Sequence, residues 1–155
     1  MSRPLPTSFT LGANRAFHEG PLTILVPVGD GGFDDLIDYL ARRSADLGRP
    51  VLLMVVVRPG VKVDPANLRA QVTRLLEGSS DSLESVAVAI DGHGFFASTF
   101  MSIASMLFIQ MRKAKTPMRV FKSLDDAVAY GVEVLDAPWV GEFAAQVRAT
   151  LPAPK

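Results

Sequence analysis

The chain has 155 residues, with 16 basic and 16 acidic side chains, no cysteine, 48% hydrophobic and 21% charged residues. This suits one globular domain with its own core and argues against a disordered chain. Zero net charge gives no global attraction to nucleic acid or an anionic membrane, and the missing cysteines exclude disulfides, thiolate metal sites and a thiol nucleophile.

Residues 1–7 read as a flexible arm, and MSRPLPTSFTLG has no apolar segment of signal-peptide type, so a cytoplasmic protein is expected. Phe9 to Phe17 reads as a short edge strand. After the turn His18-Glu19-Gly20, the run from Leu22 to Val28 is a buried strand despite Pro27, and the two form an antiparallel pair. Gly29-Asp30-Gly31-Gly32 turns into a helix from Phe33 to Leu47, ended by Gly48 and Pro50. Val51 to Val57, VLLMVVV, has the continuous apolar character of a central parallel strand.

Asp64 is a natural N-cap with Pro65 at the first helical position, and Leu68, Val72, Leu75 and Leu76 mark the buried face of that helix. Val86 to Ile90 and Met118 to Phe121 are two further inner strands. Ser123 with Asp126 forms a variant capping box for a helix through Val134. Pro138 begins a last amphipathic segment in which Trp139, Val140, Phe143, Ala144 and Val147 share one side. The expected fold is α/β, with a mixed four- to five-stranded sheet, parallel inner strands and the order β-β-α-β-α-β-α-β-α-α. The domain covers 8–135, and the segment 136–151 packs on it or on a partner.

The helix between the last two strands is unusual, because Ala97 to Met111 contains no charged residue. At 100° per residue, Phe100, Met101, Ile103, Ala104, Leu107, Phe108 and Met111 face the sheet. Ser98, Thr99, Ser102, Ser105, Met106, Ile109 and Gln110 lie opposite, as a candidate interaction surface that expects a cover. That cover is either Trp139 and Phe143 or a neighbouring helix of the same chain, or a partner or second copy. The stretch is too short and too hydroxylated for a membrane span of ~20 apolar residues, so no stable membrane insertion is expected.

The loops at the C-terminal ends of the inner strands gather Asp30, Arg58, Asp91, His93 and Lys122, where open α/β sheets place ligands. Asp91 and His93 offer a carboxylate and a titratable base. The competing reading makes Asp91-Gly92-His93-Gly94 a tight turn whose aspartate caps backbone donors. Gly29-Asp30-Gly31-Gly32 lacks a complete phosphate-binding fingerprint, and Asp34 and Asp35 would repel a phosphate there. Gly92-His93-Gly94, near Ser98 and Thr99, is the better anion pocket. No Gly-x-Ser-x-Gly elbow occurs, and His18 and His93 lack ligand spacing, so no catalytic residue, cofactor or metal is assigned. Arg112, Lys113 and Lys115 are too few for a nucleic-acid patch.

The strand ending VAVAIDGHGF, the apolar helix after it and the sequence TPMRVFKSLDDAVAYG resemble the STAS superfamily in its soluble bacterial single-domain form, over Phe9 to Leu135. The resemblance implies a non-enzymatic regulatory or scaffolding module that binds a regulatory protein or a second copy. In phosphoregulated members a serine or threonine after an aspartate opens the helix that follows the second inner strand. Here that position reads Asp64-Pro65-Ala66, so the aspartate is kept and the hydroxyl acceptor is missing. The alternative is a binder, or enzyme, for a small anionic or lipid-like ligand at the Arg58, Asp91, His93 and Lys122 edge.

Overall fold

Among the described residues, six strands form a single mixed sheet in the sequential order β1-β2-β3-β4-β5-β6. The computed structural model describes residues 6–29, 31–62, 64–92, 94–111 and 115–152. The strands are β1 (Phe9–Leu11), β2 (Asn14–Glu19), β3 (Leu22–Val26), β4 (Val51–Val57), β5 (Leu83–Ile90) and β6 (Met118–Phe121). The helices are α1 (Phe33–Leu47), α2 (Pro65–Gly78), α3 (Gly94–Met111), α4 (Leu124–Leu135) and α5 (Trp139–Thr150). The fold is thus α/β with a mixed sheet. β1, β2 and β3 pair antiparallel, and β3 through β6 pair parallel.

The strand count corrects the expected four to five, and the difference lies at the N-terminus. The predicted edge strand from Phe9 to Phe17 is broken by a tight turn, so that Leu11 faces Asn14 and Phe9 faces Ala16. Gly12 makes the turn possible, with a φ of 64° that a side chain rarely adopts. The hairpin is pressed on the start of α1: a Cβ on Gly32 would lie 2.6 Å from the Leu11 carbonyl oxygen. Asn14, 4% exposed, holds it there. Its Nδ2 donates to the Gly31 carbonyl at 2.9 Å, and its Oδ1 accepts the Val28 N–H at 3.0 Å.

Each parallel strand follows its predecessor by one crossover helix, and crossovers of constant hand moving one way across a sheet put every helix on the same face. Accordingly α1, α2 and α3 share one apolar cluster, in which Leu36, Leu40, Leu75, Leu76 and Leu107 meet Leu25, Leu53 and Val86. The opposite face is left to whatever follows β6. There α4 and α5 bury Ala127, Val140, Phe143, Ala144 and Val147 against Leu52, Met54, Ala87 and Ala89. Each large side chain so buried contributes about 1.5–3 kcal/mol. Gly131 lets α4 come close, since a Cβ there would meet Val140 at 3.2 Å and Met54 at 3.3 Å.

The helix starts follow their sequence signals. Asp64 Oδ1 accepts the Ala66 N–H at 3.2 Å, and Ser123 Oγ accepts the Asp126 N–H at 3.1 Å. α3 begins at Gly94, one turn before the charge-free run from Ala97. A Cβ on Gly92 would sit 2.6 Å from the Phe96 ring, so the glycine leaves room for that ring over the backbone.

Candidate functional site

The outer face of α3 carries Ser98, Ser102, Ser105, Met106 and Ile109, all exposed. Met106 is 52% and Ile109 65% exposed, and Val28 is a third large hydrophobic residue at this level among those described. The Gln110 side chain lies outside the described residues, as do those of Phe108 and Met111. The inner face carries Ala104 and Leu107, both buried, with half-buried Phe100 and Ile103. Ser102 Oγ donates to the Ser98 carbonyl at 3.1 Å, which satisfies the hydroxyl within the helix and leaves its apolar neighbours uncovered.

The possible cover by Trp139 and Phe143 is corrected by the topology. Both belong to the cluster on the far face of the sheet, where their rings pack edge to face at 6.3 Å. α5 therefore cannot reach α3. Among the described residues, no helix is long and apolar enough to cross a membrane.

The candidate ligand edge is assembled differently from its sequence reading. Asp91 is engaged by two arginines. Its Oδ1 accepts from Arg148 Nη2 at 2.5 Å, and its Oδ2 lies 3.9 Å from Arg58 Nε. Arg58 Nη2 donates in turn to the Pro152 carbonyl at 2.7 Å. The carboxylate thus ties the end of β5 to the C-terminal end of α5, and both of its oxygens face guanidinium groups. Lys122 is exposed. Asp30, His93, Arg112 and Lys113 lie outside the described residues, so the Asp91/His93 pairing and the basic cluster are not described; nor are residues 1–5 of the arm.

At the position matched to the regulatory switch, Asp64 is an N-cap, and Pro65 and Ala66 fill the first turn of α2, exposed to solvent. No hydroxyl stands there.

The sequence reading passed over a polar cluster between β2, β3 and α1. His18 and Thr23 are register partners on the α1 face, and both meet Tyr39. His18 Nδ1 is 2.6 Å and Thr23 Oγ1 3.0 Å from the Tyr39 hydroxyl, with Phe9 packed on both rings. His18 is exposed to solvent, yet partial desolvation, with Arg43 nearby, holds its imidazole below its ordinary value, and burial pushes the Tyr39 phenol up. A histidine opposite a threonine across the Gly20 turn was the available signal, but the tyrosine comes from a separate element.

No family model matches the chain, and no curated protein or solved structure is significantly similar to it.

Proposed function

We propose that this chain is a cytoplasmic, non-catalytic regulatory or scaffolding domain of STAS-like architecture that works by association, its outer α3 face docking on a second copy of itself. The observation that carries this reading is the exposed Met106 and Ile109 on a helix without a charged residue from Ala97 to Met111. Charge favours a second copy, because a chain of zero net charge meeting itself through an uncharged face encounters no like-charge repulsion. The STAS-like assignment draws support from the sequential order of the parallel strands, with their three crossover helices on one side. The non-catalytic reading draws support from Asp91, whose carboxylate is engaged by two arginines. Pro65 and Ala66 leave association ungated by phosphorylation at that point.

The test is the double variant Met106→Glu with Ile109→Lys, compared with the wild type by sedimentation across a concentration series. Dimers of the wild type that weaken about tenfold or more in the variant, at unchanged circular dichroism, are the expected result. A wild type that stays monomeric at its highest soluble concentration overturns self-association. The reading of the Asp91 edge as a small-ligand site has less support, since Arg58 and Arg148 already occupy the carboxylate.

A further inference from the structure

On the α1–α3 face the sheet is not fully covered. Strands β4 and β5 are interior and parallel, where both faces are ordinarily buried. Yet Val55 and Val88, adjacent in register, are only half-buried. They floor a cavity of about 110 Å³ walled by α2 and α3. Leu68 and Val72 of α2 and Phe100 and Ile103 of α3, which line it, are half-buried as well. Among the described residues lining it, Asn14 alone carries a polar side chain, and its amide is already spent on Gly31 and Val28. Such a lining offers water few partners, and a buried apolar cavity of about 150 Å³, somewhat larger than this partly open one, takes benzene.

We propose that this cavity binds an uncharged hydrocarbon group, a ring of about benzene size or a short alkyl segment, presented either as a free molecule or as the end of an amphiphile. The lining offers contact area and no converging polar group, so recognition is by shape and burial alone. The site is distinct from the outer face of α3, and its occupancy does not depend on association through Met106 and Ile109.

Thermal unfolding and calorimetric titration with toluene, and separately with octanoate, test the proposal. Toluene is expected to raise the Tm saturably. A shift with toluene alone identifies the source as a free hydrocarbon, and a shift with both admits an amphiphile whose carboxylate stays outside. Ala104→Leu, which fills the cavity from α3, is expected to weaken toluene binding about tenfold or more while retaining or raising the Tm of the unliganded protein. Val88→Leu fills it from the floor and serves if the first variant folds poorly. Met106→Glu with Ile109→Lys is expected to bind toluene like the wild type, so failure of the association reading is separable from failure here. No Tm shift with either probe, or a shift that survives both filling variants, overturns the proposal.

Discussion

The two faces of the sheet are built from the same strands and filled to different degrees. On the α4–α5 face, Met54, Ala87 and Ala89 are fully covered and Val56 is 2% exposed. One residue along the same strands, on the α1–α3 face, Val55 and Val88 are only half-buried. The difference follows from how each face is covered. The α4–α5 pair packs as a unit, with Gly131 allowing close approach and Phe143, 2% exposed, filling the space. The three crossover helices are each tethered to two strands, and their spacing is set by the strands they connect as well as by mutual packing. The α4–α5 face is closed over these strands, and the α1–α3 face keeps a gap at Val55 and Val88.

The largest test of this contrast is truncation on each side. Phe143→Ala is expected to cost about 3–5 kcal/mol in denaturant unfolding, and Val88→Ala about 1 kcal/mol, because Val88 already borders empty space. Equal losses would refute the difference between the faces. A smaller effect is expected from Asp91→Ala, which releases the end of α5 from β5 and leaves Arg58 and Arg148 without their shared carboxylate. A loss of about 1–2 kcal/mol, with faster amide exchange confined to the end of α5, is the expected outcome.

The smallest effect comes from the α1–α3 face and appears as a pH slope. His18 binds its proton less readily folded than unfolded, because partial desolvation and Arg43 oppose the charge. As pH falls through about 6.5 the unfolded chain takes up a proton that the native state refuses, so stability declines, levelling off below the folded pKa. In His18→Gln the decline over this range is expected to flatten, as read from denaturation midpoints at a series of pH values. An unchanged slope would mean that His18 does not carry it.

Much of the architecture was legible in the chain because hydrophobic period and capping chemistry are local. VLLMVVV announced a strand covered on both sides, Asp64-Pro65 and Ser123 announced helix starts, and the charge-free run announced α3. The hairpin at Gly12 was hidden inside an apolar run that reads as continuous, since a single glycine is consistent with either a strand or a turn. The Asp91 site was half legible: its position at a strand end is local, but its partner Arg148 is 57 residues away.

By itself, then, the sequence determined the helices and the inner strands, where most of them begin, and that one helix lacks charge, since each of these depends on neighbours within a few turns. Only the tertiary structure decided that α5 lies behind the sheet and cannot cover α3, that Asp91 meets Arg148 of α5, and that Val55 and Val88 border a cavity. Periodicity marks which side of an element is buried, but the partner of that side is set by topology and by contacts between residues far apart in the chain.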